Sequence, residues 1–174
     1  MKIHRRQIID TNVIVTANRQ VNIDYDEMHL YPELIIECIT TLRAIMDARA
    51  YVVMDNNDEI YAEYLRNLNL GGQKEAGNIF FKWLHDTRYS FPESERVAIE
   101  KTPESSYKEF PVGMTELNVD PSDRKFFAVA NAHPEHPAIF EATDSKWWNW
   151  RETANKCGIT IEFLSERYMT DHNR

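Results

Sequence analysis

The feature that most constrains this chain is the stretch at residues 7–15, where a short apolar run ends in Asp-Thr-Asn. Ile8 and Ile9 are β-branched and stand next to polar residues, a pattern typical of the end of a fully buried strand. Asp10 then lies where that strand stops. Because ligands of open α/β sheets bind at the carboxyl ends of the strands, we expect Asp10 to belong to a functional site.

Strand and helix patterns alternate along the rest of the chain. Such alternation predicts an α/β fold with three α/β/α layers around a central, mostly parallel sheet of four to five strands. Further strands are predicted at residues 51–55, 138–140 and 159–164. Helices are predicted from Pro32 to near Arg49, from a cap at Asn56 or Asn57 to Leu68, and at residues 75–85, 124–132 and 146–156.

Two other segments are less regular. Residues 16–28 are polar and predict a helical turn followed by a loop. Residues 88–118 contain three prolines, several serines and only brief apolar runs, so we expect an irregular insertion with one short strand. A loop of this length in a compact domain is usually functional or mobile. At 174 residues, the whole chain (1–174) is predicted to be a single domain.

Composition limits the function. The formal net charge of -8 counts against nucleic-acid binding, because affinity for phosphate normally depends on Lys and Arg. A metal ion held by the acidic residues would reverse the local sign. The cysteines Cys38 and Cys157, without a secretion signal, favour a reducing cytoplasm and core packing. No apolar run approaches the roughly 18 residues of a spanning helix, so no membrane association is expected.

Four acidic residues occupy strand ends or early helical turns: Asp10, Glu63, Asp123 and Asp144. Carboxylates that meet at one point repel one another unless a cation neutralises them. Hard divalent cations such as Mg²⁺ prefer oxygen ligands of this kind. We therefore expect these four side chains to converge on a metal ion at one edge of the sheet.

The order of these motifs resembles that of PIN-domain nucleases, over roughly residues 7–164. Asp-Thr-Asn at residues 10–12 follows a strand, Asp123 opens a helix, and Thr-Asp-Ser at residues 143–145 follows a later strand. The resemblance implies a metal-dependent endoribonuclease that binds Mg²⁺ or Mn²⁺ and cleaves single-stranded RNA with a metal-activated water. It also implies a toxin of a toxin–antitoxin pair or a phage-defence effector, held inactive by a partner protein. Homo-oligomerisation stays open.

In that family, a helix glutamate completes the metal site. Glu63 is our choice here, because Ile60 and Tyr64 place it beside an apolar helix face. Asp58 and Glu59 lie one turn away and are the alternatives. Around the four ligands we expect Asn12, Ser145 and Asp120 as supporting polar groups, and Arg124, Lys125 and Lys146 as phosphate contacts.

Simpler structural roles compete with these assignments. Asp10 could form a turn with its own backbone and have no other role. Asp144 could likewise serve just to cap the helix after it. Asp120 could be the N-cap of the next helix, with Asp123 complementing the helix dipole. All these roles use the same residue types, so the sequence leaves them open beside metal binding.

Aromatic and histidine side chains have their own alternatives. Trp147 and Trp150 share helical spacing and are expected in the core, whereas Trp148, on the other side, could be exposed and stack on bases. His133 and His136 are expected to be loop residues and not zinc ligands, because no suitably spaced partner accompanies them.

Two other functions remain as rivals. A phosphatase of the haloacid dehalogenase type also places an aspartate after its first strand. That chemistry needs a second aspartate two residues later as the general acid, and this chain has Asn12 there. A non-catalytic binding module of the same fold would show no stabilisation by divalent cations.

Overall fold

The computed structural model describes residues 3–19, 31–71 and 74–173. The strands are β1 (Arg6–Ile9), β2 (Tyr51–Val52), β3 (Met54–Asp55), β4 (Arg96–Val97), β5 (Ile139–Glu141) and β6 (Ile161–Phe163). The helices are α1 (Thr11–Thr16), α2 (Pro32–Asp47), α3 (Glu59–Asn67), α4 (Ala76–Thr87), α5 (Arg124–Ala132), α6 (Lys146–Lys156) and α7 (Glu166–His172). Short 3-10 turns lie at Arg88–Ser90, Glu93–Glu95 and Val112–Met114.

The central sheet has four parallel strands in the order β2-β1-β5-β6 and is flanked by helices. This architecture confirms the predicted α/β class. A second, two-stranded parallel sheet joins β3 to β4. The chain leaves β1 for β2 on one side and later returns to β5 on the other. The switch point between β1 and β5 is where open parallel sheets leave a crevice for ligands.

The centre of the sheet is apolar because β1 has a neighbour on both sides. Ile8 and Ile9 are fully buried, as expected for a central parallel strand. Gln7 is also fully buried, and its side-chain amide donates to the Tyr51 carbonyl at 2.7 Å. In register, Ile8 is paired with Ile139 and Ile9 with Phe140. Strands β1 and β5 therefore have one defined register.

The segment at residues 88–118 contributes to the same interior. It contains β4 and all three 3-10 turns. Val97, Ile99, Phe110 and Met114 are buried within it, and Phe110 contacts Phe127 of α5 edge to face. Its brief apolar runs are therefore core positions separated by turns.

Several local predictions were wrong. The helix predicted from residue 16 begins at Thr11, because the Asp10 side chain accepts a hydrogen bond from the Asn12 N–H at 2.8 Å and so caps α1. Residues 20–28 of that prediction lie outside the described residues. The strand predicted at 51–55 is divided at Val53 into β2 and β3, which pair with different neighbours. Helix α7 was not predicted.

The cap of α3 was also assigned wrongly to Asn56 or Asn57. The buried Asp55 accepts hydrogen bonds from the N–H groups of Glu59 at 2.8 Å and Ile60 at 3.0 Å. Asp58 adopts a positive φ of 57°, which turns the chain so that Asp55 can reach those donors. The carboxylate thereby satisfies two orphan donors of the first turn.

Trp147 and Trp150 are buried, as predicted, and stand in the aromatic cluster around Phe127. Trp148 is half-buried against Phe163, with ring centres 5.1 Å apart, and is less exposed than expected. His133, expected in a loop, is buried at the end of α5.

Helix α4 approaches α1 at Gly77. A Cβ atom at this position would overlap the carbonyl oxygen of Ile14. The next residue, Asn78, donates its N–H to the Asn18 side chain at 2.9 Å and accepts a hydrogen bond from it at 3.1 Å. The backbones of α1 and α4 are therefore nearly in contact at this point.

Across residues 3–19, 31–71 and 74–173, no helix combines the length and the apolar character that a membrane crossing requires.

Candidate metal centre

Two carboxyl groups lie side by side at the switch point of the sheet. Asp10 directly follows β1, and its N–H donates to the Phe140 carbonyl at 3.0 Å. The register continues one step further and places Asp10 level with Glu141, the last residue of β5. Both side chains are buried, Asp10 at 3% exposure and Glu141 at 0%. Adjacent strands therefore deliver a pair of acids into the interior.

Glu141 organises the loop that follows β5. One carboxylate oxygen, Oε1, accepts backbone hydrogen bonds from Ala142 and Thr143 at 2.9 Å and from Asp144 at 2.8 Å. The other oxygen, Oε2, is buried and has no hydrogen-bond donor among the described residues when all carboxyl groups are ionised. The loop that carries Asp144 is therefore fixed by a carboxylate that retains an unsatisfied oxygen.

This pair of acids retains protons more strongly than ordinary carboxyl groups. Burial, followed by the charge of Glu141, raises the pKa of Asp10 well above its ordinary value. Burial raises the pKa of Glu141 to about 7. The two side chains interact by a hydrogen bond, so a proton on Asp10 supplies the donor that Glu141 lacks.

Three aspartates form a second group next to this pair. Oxygen atoms of Asp120, Asp123 and Asp144 all lie within 4.8 Å of one another, and each side chain is half-buried. Burial and then the charge of Asp144 raise the pKa of Asp123 to about 6. The charge of Asp123 in turn contributes to the raised pKa of Asp10. The two groups are therefore electrostatically linked.

Local hydrogen bonds set the direction of each aspartate. The Trp147 indole donates its Nε1–H to Asp123 Oδ2 at 3.2 Å. Asp144 Oδ1 accepts the N–H of Lys146 at 3.0 Å, so Asp144 does cap the start of α6. Asp120 Oδ2 forms an ion pair with the Lys146 ammonium at 2.7 Å. Capping and participation in the acidic group are compatible for Asp144, because a carboxylate has two oxygens.

The alternative in which Asp120 is the N-cap of α5 was wrong. Helix α5 begins at Arg124 with Asp123 in the N-cap position, and the Asp123 side chain makes no capping hydrogen bond. The Asp120 carbonyl accepts the Asp123 N–H at 2.9 Å in a turn. Asp120 was expected to support the site from outside, yet it is one of the three aspartates whose oxygens lie within 4.8 Å of one another.

Glu63 does not belong to the three-aspartate group. Its Oε1 accepts the Thr11 hydroxyl at 2.5 Å, and its Oε2 is paired with the ammonium of Lys125. Glu59, its alternative, forms an ion pair with Lys101 at 2.6 Å. Both glutamates of α3 therefore already face a cation of this chain.

The other residues expected near the site differ in their exposure and in the groups they contact. Lys125 is only 5% exposed and Lys146 is exposed. Arg124, expected at a phosphate, points to backbone carbonyls, with Nε donating to Val119 at 3.0 Å. Asn12 serves the site through its backbone N–H to Asp10, and Ser145 precedes α6 without a side-chain capping bond.

Glu141 is the residue that sequence reasoning missed. The predicted strand stopped at Phe140, one residue too early. The signal was available, because Glu141 follows an apolar strand in the same way that Asp10 follows Ile8 and Ile9. Treating both strand-end acids alike would have predicted their contact.

This edge of the protein supplies a dense set of carboxylate oxygens, the ligand type that Mg²⁺ and Mn²⁺ prefer. The three aspartates come from two separate segments, and burial, followed by the charge of Asp144, raises the pKa of Asp123. Comparisons with models of known protein families, with curated proteins and with solved structures found no match.

Proposed function

We propose that this protein is a metal-dependent endonuclease that cleaves single-stranded RNA. The observation that carries the proposal is the close approach of Asp120, Asp123 and Asp144 at the switch point of a parallel sheet. Three carboxylates within 4.8 Å repel one another, Lys146 pairs with Asp120 alone, and a divalent cation would offset the repulsion that remains. The PIN-like order of the acidic motifs supports RNA as the substrate.

Asp123 and Asp144 would hold Mg²⁺ or Mn²⁺, with Asp120 as the third ligand. When bound, such a cation supplies an activated water and neutralises the charge that develops on a phosphate during hydrolysis. The three aspartates can approach it from two directions, because Asp120 and Asp123 precede α5 and Asp144 precedes α6.

The remaining residues position these ligands. Glu141 fixes the backbone of Asp144 through three hydrogen bonds to the loop. Trp147 orients Asp123 by its indole N–H. Asp10 and Glu141 lie behind the group as a buried pair that can hold a proton. Lys146, paired with Asp120 at the surface, is placed to contact a phosphate oxygen that approaches the site.

The first experiment tests cation binding. Thermal unfolding of the wild type is followed while Mn²⁺ is titrated, and we expect the melting temperature to rise. A cation at about 100 times its Kd adds about 2.7 kcal/mol to the free energy of unfolding. Asp144→Asn should abolish most of this shift, whereas Glu152→Gln, a change of the same kind at an exposed position of α6, should keep it.

The second experiment tests cleavage. An unstructured, fluorescently labelled RNA is incubated with Mn²⁺, and the products are separated by length. We expect internal cleavage by the wild type and a loss of at least about 100-fold in Asp144→Asn, since removing even a residue that supports a metal ligand commonly costs 10–100-fold. Equal cleavage by the two proteins, or a wild type that neither binds Mn²⁺ nor cleaves RNA, would contradict the proposal.

A further inference from the structure

A groove of about 400 Å³ leads away from the acidic site between α3, the turn at residues 101–107 and the start of α5. Ser122 lies in its wall, and the Ser122 hydroxyl donates to Asp123 Oδ1 at 3.3 Å. The three aspartates do not line the groove themselves, and Ser122 links its wall to Asp123. Its volume lies within the roughly 300–1,000 Å³ of typical ligand sites.

The outer wall of the groove is a small, hydrogen-bonded hairpin. Lys101 and Tyr107 pair as an antiparallel bridge. Within the turn, the Thr102 N–H donates to the Ser106 carbonyl at 3.0 Å, and Ser105 has a positive φ of 55°. Arg124 of α5 holds the same turn through the Ser105 carbonyl. The wall is thus supported from both ends.

Cations exceed carboxylates in this groove, although the chain as a whole carries a net charge of -8. Its charged lining is Arg66, Lys101, Lys125, Glu59 and Glu63. The two glutamates are each paired with a lysine, which offsets their repulsion of an anion. Arg66 is exposed and makes no hydrogen bond or ion pair within the part of the chain that the structure describes. The lining of the groove therefore has a net charge of one positive, on a protein whose net charge is -8.

Hydroxyl groups make up most of the remaining lining. They come from Thr102, Ser105, Ser106, Tyr107 and Ser122. Thr102 Oγ1 is buried without a hydrogen-bond partner among the described residues. Burial and then the charge of Glu59 raise the pKa of Tyr107 to about 12, so its hydroxyl keeps its proton at neutral pH. Hydroxyl donors and acceptors suit ribose 2′-hydroxyls and phosphate oxygens.

We propose that this groove binds the single-stranded RNA substrate beside the cleavage site, with Arg66 and Lys101 at phosphates and the hydroxyl groups of the hairpin at riboses. The inference rests on the proposed nuclease function and adds the path of the strand to it. Glu59 holds Lys101 against α3, and Glu63 holds Lys125, so the cations are positioned before the RNA arrives.

The test is steady-state cleavage of a labelled, unstructured RNA with Mn²⁺ by a double charge reversal, Arg66→Glu with Lys101→Glu. We expect KM to rise about tenfold while kcat stays within about twofold, because contacts to phosphates other than the one that is cleaved contribute uniform binding. The slope of log KM against log salt should also fall by about 0.7 for each phosphate that the variant no longer binds.

The matched control is Lys82→Glu with Lys108→Glu, which changes the net charge by the same amount at two exposed lysines outside the groove. Arg66→Glu alone serves as a second variant, since it disturbs no described ion pair. Melting temperatures show that each variant is folded.

The possible outcomes distinguish the proposal on the groove from the proposal of nuclease activity. A rise in KM for the groove variants but not for the control supports the groove. If the wild type is active and the groove and control double variants have equal KM values, the groove proposal is overturned and the nuclease proposal stands. A wild type that does not cleave RNA overturns both. A DNA strand of the same sequence that is cleaved with the same KM overturns the ribose contacts.

Discussion

Two fully buried glutamates stand at opposite edges of the parallel strands and solve the same electrostatic problem differently. Glu95 precedes β4 at the amino edge and receives two hydrogen bonds from the Arg6 guanidinium, at 3.0 and 3.1 Å. Glu141 ends β5 at the carboxyl edge, where it accepts three backbone N–H groups and lies against a second acid, Asp10, instead of a cation. One edge supplies its own cation to a buried carboxylate, and the other does not.

The difference separates a structural ion pair from a pair of acids at a candidate functional site. Arg6 lies on β1 and Glu95 beside β4, so their contact fixes the residues 88–97 region against the central strand. At the carboxyl edge, burying acids without a counter-charge costs free energy, and such sites are typical of functional residues. An external cation at the neighbouring aspartates is the purpose that we propose.

The largest expected effect concerns the paired edge. Arg6→Met should lower the free energy of unfolding by about 3–5 kcal/mol, because it leaves Glu95 buried without its counter-charge. Urea unfolding at neutral pH measures the loss. Arg5→Met, at the exposed neighbouring position, is the control and should change stability by less than about 0.5 kcal/mol. Similar losses in both variants would show that Glu95 does not depend on Arg6.

The next effect concerns the unpaired edge and has the opposite sign. The pKa of Glu141 is raised from 4.5 to about 7 in the folded protein, so folding favours its protonated form. The associated stability is fully present below pH 4.5 and is lost as pH rises through about 7. Glu141→Gln cannot titrate and keeps an oxygen for the loop N–H groups. In chelator, it should therefore be more stable than the wild type at pH 8, by roughly 1–3 kcal/mol.

Urea unfolding at a series of pH values between 4 and 8 would show this directly. The wild type should lose stability towards high pH more steeply than Glu141→Gln. Glu152→Gln removes an exposed carboxylate and should follow the wild type. If Glu141→Gln had the pH dependence of the wild type, the buried pair at this edge would not hold the extra proton.

The smallest effect concerns a surface ion pair at the carboxyl edge, that of Lys146 with Asp120. Lys146→Ala should change the free energy of unfolding by no more than about 0.5 kcal/mol, since exposed ion pairs contribute little. It should nevertheless tighten Mn²⁺ binding by about two- to fivefold, because it removes a competing positive charge near the aspartates. Calorimetric titration measures the affinity, with Lys156→Ala at the far end of α6 as the control.

The sequence allowed prediction of those parts that depend on neighbouring residues. Asp10 and Asp144 could be placed at one edge because each follows an apolar strand, and parallel strands share their carboxyl edge. Helices α5 and α6 could be delimited from apolar spacing. Pairings between distant segments could not be read in this way. Glu63 was expected at a metal, and nothing in its helix reveals that Lys125 and Thr11 occupy its oxygens.

The contact between α4 and α1 at Gly77 makes the acidic edge sensitive to a position outside both groups of acids. Helix α1 is only six residues long and starts at the cap that Asp10 provides, so a displacement at Ile14 is carried straight to that carboxyl group. Even one methyl group at Gly77 would push the helix outward and tilt Asp10 relative to Glu141. Tolerance to mutation at this glycine is therefore governed by the geometry of acids with which it has no contact.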